Sequence, residues 1–562
     1  MLLRNSIKLL SRFLNTRNIR YLLALIVNVP LILFRVYEIS YDAYTHMFFA
    51  KHYMENWFSL WETKWYGGFW VTSYPPLLHQ LIAALAKIIG LEYAFGVVLF
   101  ASIILLLYAA IFFSENVLEI KSKLSSILII FTPSIYLFAY CFGQLPTILA
   151  FSFTLLSATY FRKALITKSK ISFLNLLQAS LFASLTIMTH HVTTVFLLPT
   201  LISVITLDHL IRLGLRRKKA VLKAVATLGA YLVVALTIAS PIVYHMIVFF
   251  TKAPVQAPIP HASRENIFEN IVSSATFFWG VYGPLVFLIP VAFFTLADMK
   301  KYVFLVFILG LFIFGLGGVT PIPRIMLGDR LYDVLTFDKF SFWTSIFMVP
   351  LISYYLEHKL KELVDNTSLT VKVLMASLIV SLILTILLPR IVPLQPQRPN
   401  IDAIAEYLND QEGLGFYITL GLGTWSQELS LKITKPTLDG GYNTARTLPI
   451  LVHSGVESID AAKAFPNGTF LINAILDQAE EYGIRWVIVG DKTLETVVAE
   501  KGFRKVHEVD WVTIWEQENY VKGFLRTYRV YDRRDLLWGI VPLTILSLTA
   551  ILNIWYRLWR RK

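Results

Sequence analysis

The chain has 562 residues, 56% of them hydrophobic, 14% aromatic and only 16% charged, with a mean hydropathy of +0.60. That is far more apolar than a soluble core requires, so soluble classes are excluded and a polytopic membrane protein is indicated. The net charge of +14 does not point to nucleic acid, because Lys and Arg sit in short segments between apolar runs, where they act as topology signals. The single cysteine, Cys141, excludes an intramolecular disulfide and a cysteine-rich metal site and leaves the redox compartment open.

Residues 1–20, "MLLRNSIKLLSRFLNTRNIR", carry no small-residue cleavage site and read as a basic cytoplasmic tail. Apolar runs near membrane length follow at 21–37, 91–113, 124–140, 146–161, 171–190, 191–210, 220–250, 271–296, 303–318, 340–356, 369–388 and 536–556. The charges between them alternate, giving about twelve transmembrane helices with both termini cytoplasmic. The alternation requires that residues 77–89, "LLHQLIAALAKII", do not cross. As a helix this run reaches only ~20 Å, against a hydrocarbon core of ~30 Å. Crossing would also put "RKALITKSK" and "RLGLRRKK" outside. A helix at the outer interface over 77–90 is therefore expected, the alternative being a short extra span with inverted topology after it.

Composition turns soluble at 391–535, with a Pro-rich entry "PLQPQRPN", a helical "IDAIAEYLND" and a helix-turn-strand unit "LINAILDQAEEYGIRWVIVGD". The predicted organisation is a cytoplasmic tail (1–20), a transmembrane domain (21–390) with an outer loop at 38–76, a small extracellular α/β domain (391–535), a last transmembrane helix (536–556) and a cytoplasmic tail (557–562). A plasma-membrane protein with this topology exposes Asn467, in the sequon "NGT", outside and holds Asn366, in "NTS", inside.

The outer loop after the first span is dense in ionisable groups, which are costly at a membrane boundary unless paired, solvated or useful. Glu38, Asp42 and His46 recur at intervals of four, so that one helix would show all three on one face. Trp57, Trp61, Trp65 and Trp70 then recur every four or five residues, as in an interfacial helix anchored by an aromatic belt. Helix capping is the plain alternative for Asp42.

The pattern "DAYTH", then "WYGGF", then "YPPLL" resembles the GT-C superfamily of membrane glycosyltransferases. Within it, the chain is similar to the largely archaeal polytopic proteins labelled 6-pyruvoyl-tetrahydropterin-synthase-related, a label of sequence similarity and not of pterin chemistry. The stretches "LDGGYNTARTLPILVHSG" and "YGIRWVIVGD" extend that resemblance over most of the chain. The Trp-Trp-Asp-Tyr-Gly signature of the oligosaccharyltransferase catalytic subunit is missing, as is the adjacent Asp-Glu pair of protein O-mannosyltransferases and aminoarabinose transferases. The resemblance implies a GT-C-like fold and a polyprenyl-phosphate or dolichyl-phosphate sugar donor, with Asp42 as the catalytic carboxylate.

Such a transfer needs a base or positioning carboxylate for the acceptor and positive charge for the departing phosphate. Arg324, Arg330 and Lys339, in "TPIPRIMLGDRLYDVLTFDKFSFW", are the candidates for the lipid phosphate; the plain alternative is pairing with Asp329, Asp333 and Asp338. Glu38, His46, Gln144 beside Cys141, and His191 next to His190 are candidates to line the site or hold the acceptor. The sequence alone fixes no cofactor. Asp42 and His46 could be two ligands of a divalent cation, Mg or Mn, but two ligands are not a site. The expected partners are the bilayer, the sugar lipid and a glycan, lipid or protein acceptor, with no nucleic acid. The rival classes are a transporter or lipid flippase and a non-catalytic scaffold with a partner-binding ectodomain. A transporter places polar or broken segments at the midplane, whereas these spans are nearly charge-free.

Overall fold

The computed structural model describes residues 16–167, 170–214, 218–266, 270–359, 367–391, 394–518 and 533–559. Most of the basic N-terminal tail, Asn366 and the last three residues lie outside the described residues.

Helices occupy all twelve ranges read as spans. Six, Leu91–Leu118, Thr193–Leu213, Lys218–Lys252, Ile271–Asp298, Leu369–Ile391 and Asp535–Tyr556, are long and apolar enough to cross a membrane. The pair Lys123–Phe131 and Pro133–Phe142, bent by 41°, passes the same test as one broken segment. The bend falls at Pro133, which lacks an N–H and cannot continue the helix before it. The other ranges hold Thr16–Leu33, Leu145–Ile166, Lys170–Ile187, Tyr302–Gly315 and Asp338–His358. The result is a polytopic helical membrane fold.

Leu145–Ile166 runs through the centre, and its small polar residues let neighbours approach closely. Ser157 bonds the Ala179 carbonyl at 2.8 Å and the Tyr231 hydroxyl at 2.9 Å, while Ser152, Thr154 and Thr159 bond carbonyls one turn back. Such interhelical bonds replace the hydrophobic drive that lipid does not supply.

Charge separates the two ends of the bundle. At one end Glu119, Arg162, Asp208, Arg212 and Lys301 form a network, with Arg212 to Glu119 at 3.1 Å, Arg212 to Asp208 at 3.0 Å and Lys301 to Glu119 at 2.9 Å. These residues lie in or beside the basic connections assigned to the inner side. The other end carries the loop after the first helix and the soluble unit. The helix Leu77–Ile89 has both of its ends there: Leu77 N–H donates to the Met188 carbonyl at 2.9 Å, and Glu92, just beyond its other end, accepts from Tyr37 through its carbonyl at 2.8 Å.

Residues 394–518 form an α/β unit. Strands β3 (Phe416–Leu420) and β4 (Ile484–Val489) are parallel, and β6 (Val512–Glu516) pairs antiparallel with β4 and with β5 (Arg504–Val509), in the order β3-β4-β6-β5. The helix Ile401–Asp410 starts at Asn400, whose side chain accepts from Ala403 N–H, an N-cap that "PNIDAI" prescribes. The almost wholly buried β3 and β4 read as continuous apolar runs because both of their faces are covered.

The tryptophan-rich stretch departs from expectation. It is a hairpin, β1 (Trp61–Glu62) against β2 (Phe69–Trp70) with Trp61 opposite Trp70, and not an interfacial helix. Tyr66, Gly67 and Gly68 all have positive φ, which breaks a helix and makes a tight turn. Trp65 is fully buried and stacks on Phe48, so it anchors the protein interior and not a headgroup layer.

Candidate functional site

Asp42 immediately precedes the helix Ala43–Glu55, but its backbone is already helical and its side chain makes no capping bond. It is held by its own main chain: Tyr41 N–H donates to the Cys141 carbonyl and Asp42 N–H to the Phe142 carbonyl, each at 3.1 Å. Gly143 makes this docking fit. With φ of 73°, it sits where a Cβ would lie 2.7 Å from Ser40 Oγ, 2.8 Å from Ala43 N and 2.9 Å from Asp42 N. The tight "CFGQLP" turn therefore sets the height of Asp42 at this end of the bundle.

Charged and aromatic groups converge there from distant elements. Asp42 lies within electrostatic reach of Glu457, Lys339, Asp338 and Tyr74. Lys339 acts in turn on His190, His191 and His261. Lys339 and Asp338, at the start of Asp338–His358, are both buried, with Lys339 Nζ 3.7 Å from Asp338 Oδ1 and donating to Thr336 Oγ1 at 2.6 Å. Tyr74 bridges the loops, its ring centroid 5.5 Å from His191, 5.7 Å from His46 and 5.2 Å from Tyr442. Burial, with Glu457 adding to it and Lys339 opposing it, pushes the Asp42 carboxyl up to about 7. Asp42 nonetheless keeps some accessible surface. Such a group can accept a proton near neutral pH.

The α/β unit closes this end. A Cβ on Gly440 would lie 2.7 Å from the Trp65 ring and 2.8 Å from that of Tyr66, so the stretch Leu438–Arg446 lies flat on the hairpin turn. Tyr442 N–H donates to Tyr66 OH at 3.2 Å, Tyr442 OH to the Ser73 carbonyl at 3.2 Å, and Thr437 N–H to the Lys64 carbonyl at 2.7 Å. Thus "DGGYN", "WYGGF" and "YPPL" meet in space. Loops of the α/β unit lie against the hairpin and the "YPPL" turn at the end that carries Asp42.

The candidates from the sequence separate into two groups. Asp42, Lys339 and His191 come together. His46 lies on the adjoining turn, its Nδ1 3.1 Å from His79 Nε2, and burial takes its imidazole down to about 3, leaving it neutral. Gln144 starts Leu145–Ile166, is half-buried, and accepts from Thr147 Oγ1 at 3.3 Å. Glu38 does not share a face with Asp42 and His46. It belongs to the 3-10 turn Val36–Ile39, Ser40 is extended, and Glu38 pairs with Arg35. The four-residue spacing assumed one continuous helix, which Ser40 interrupts. Arg324 and Arg330 are exposed on Ile322–Tyr332, where Arg324 pairs with Asp329 at 2.6 Å. Among the described residues no group of three His, Cys, Asp or Glu side chains is arranged to hold a metal.

His261, Tyr74 and Glu457 were not legible as site residues. Each lies far along the chain or in a loop without a motif of its own, and only "YPPL" marked the neighbourhood of one of them.

The sequence matches no protein-family profile and no curated protein. Solved structures do share its fold. ArnT from Cupriavidus metallidurans, crystallised bound to undecaprenyl phosphate, matches with a TM-score of 0.54 at 10% identity over 87% of this chain and 97% of its own. Its apo form matches with a TM-score of 0.55 over the same shares. The arabinofuranosyltransferase AftD from Mycobacteria matches with a TM-score of 0.51 at 13% identity over 89% of this chain, which spans 41% of AftD. The chain therefore shares the membrane fold of ArnT and AftD.

Proposed function

We propose that this protein is a GT-C-type glycosyltransferase that moves a sugar from a polyprenyl-phosphate or dolichyl-phosphate donor to a hydroxyl outside the cytoplasm. The observation that carries the reading is Asp42 itself, a carboxyl tuned towards neutrality, enclosed at one end of the bundle, with Lys339 as its cationic neighbour. In this reading Asp42 takes the proton of the acceptor hydroxyl as its oxygen bonds to the anomeric carbon. The bond from that carbon to the phosphate oxygen breaks, and the polyprenyl phosphate leaves with the electron pair, its charge met by Lys339. Proton transfer to a positioned base contributes ~10²–10⁴-fold. The undecaprenyl phosphate bound to ArnT supports the lipid class, and the "DAYTH" to "YPPLL" pattern supports a place near the archaeal group named above.

The same reading puts the protein in the plasma membrane with its α/β unit, about 391–535, outside and both termini inside. The acceptor is a glycan, a lipid or a protein. Transfer of radiolabelled sugar from a polyprenyl-phosphate donor panel, by membranes matched for expression of wild type and Asp42→Asn, tests it. If no donor of this class supports transfer by wild type, the transporter and scaffold readings take precedence.

A further inference from the structure

Residues 316–337 join Tyr302–Gly315 to Asp338–His358 at the Asp42 end of the bundle, and part of their apolar surface is uncovered. Tyr302–Gly315 has 14 residues, about 21 Å of helix against a hydrocarbon core of ~30 Å. It starts beside Lys301, which donates to Glu119 at 2.9 Å in the charged network of the opposite end. A helix standing on that layer stops ~9 Å short of the far boundary, so the chain leaves Gly315 still at acyl-chain depth. Gly315 there accepts from Ser341 Oγ at 2.7 Å, level with the first turn of Asp338–His358.

The connection is pinned on one side. Tyr332 OH donates to the Arg264 carbonyl at 3.2 Å, the Arg264 guanidinium to the Asp333 carbonyl, and Phe337 N–H to Ser263 Oγ at 3.1 Å. In the first turns of Ile322–Tyr332, before the bend at Gly328 where φ is 70°, successive residues stand ~100° apart round the axis. Ile322, Ile325 and Met326 therefore share one stripe, and they are 42%, 77% and 60% exposed. Buried Pro323 and half-buried Leu327 share the next face. Arg324 stands opposite the stripe, exposed and paired with Asp329. One face meets protein, one is cationic, and one is apolar and bare among the described residues. Beyond the bend, Leu331 and Val334 are exposed while Tyr332 and Leu335 are buried.

We infer that this stripe is seated in the lipid leaflet at the Asp42 end, with Ile322, Ile325 and Met326 among the acyl chains and Arg324 reaching the headgroup layer. Lipid is the occupant because the segment leaves a bundle helix at acyl-chain depth, returns directly into another, and carries its cation on the side away from the stripe. That is the build of an interfacial helix, whose apolar face sinks ~5–10 Å into the boundary between headgroups and chains. An exposed apolar stripe of this kind, costly in water, loses nothing there. The connection that leads into Lys339 is then held between the Arg264 contacts on one side and the leaflet on the other. This follows from the membrane fold, whichever reaction the protein catalyses.

The test uses full-length protein carrying Ile325→Cys, Met326→Cys or Asp329→Cys, each labelled with an environment-sensitive fluorophore and reconstituted in vesicles of phosphatidylcholine and phosphatidylglycerol. Cys141 is buried, so unsubstituted protein supplies the labelling background. Labels at 325 and 326 should emit at shorter wavelength than the label at 329, lose most of their emission to lipids bearing a nitroxide on the upper acyl chain, and resist aqueous iodide. The label at 329, whose side chain is 73% exposed on another face, should show the reverse. Iodide quenching at 325 and 326 equal to that at 329 overturns the inference and leaves the stripe in water. Resistance of 325 and 326 to both quenchers overturns it in favour of a protein cover.

Discussion

The acidity of Asp42 makes the most searching prediction. Its carboxyl moves from an ordinary 3.8 to about 7, with burial as the largest cause. If its ionised form accepts the acceptor proton, transfer should fall about tenfold for each pH unit below 7, so that at pH 5 roughly one molecule in a hundred is competent. Asp42→Asn keeps shape but removes the base, and transfer should drop by roughly a hundredfold or more and lose its acid limb. Stability should change in the opposite sense. Because the folded state holds this proton more tightly than the unfolded chain, wild-type stability declines as pH rises from about 4 to about 7. Three pKa units set a ceiling of about 4 kcal/mol on that loss, and the water that reaches the carboxylate lowers it. The Asn variant escapes the loss, so its thermal stability relative to wild type should rise across that window. Initial rates and thermal unfolding, measured from pH 5 to 8.5, provide both curves. A wild-type rate flat through pH 5 to 8, or full activity in Asp42→Asn, refutes the assignment of Asp42 as base.

Lys339→Ala should raise the donor KM about tenfold or more, whereas Arg324→Ala and Arg330→Ala, on an exposed segment, should change it by less than about twofold; donor titrations separate them. Gly143→Ala places a methyl 2.9 Å from Asp42 N at a φ of 73°, and should cost about 1–3 kcal/mol of stability together with most of the activity, read by thermal unfolding and transfer rate. Trp65→Ala removes a fully buried ring that supports both Phe48 and the Gly440 turn, with an expected loss of about 3–5 kcal/mol. A cysteine at position 467, exposed in the structure, should label from the cell exterior, and Cys141, which is buried, should not; labelling at 467 only from the inside would invert the proposed topology.

What the sequence alone determined was local. Apolar length and charge alternation marked where helices lie, because each helix answers to its own run of residues and its own flanks. Asn400 before "IDAI" and the apolar run "IRWVIV" did the same for elements of the α/β unit. Asp42 was legible because a carboxylate directly after a span is expensive wherever the rest of the chain goes. Tertiary structure decided the rest. Lys339, Arg324 and Arg330 were equivalent cations in one loop, and only packing buried Lys339 near Asp42 while leaving the arginines exposed. The tryptophans had a helical spacing that the left-handed turn at Tyr66, Gly67 and Gly68 overrode. Glu457 carries no local signal at all. Its influence on Asp42 depends on how the α/β unit docks, through contacts such as Tyr442 with Tyr66 and Ala257 with Val452, and the electrostatics of a buried carboxyl depend on every charge that folding brings near it, at whatever distance along the chain.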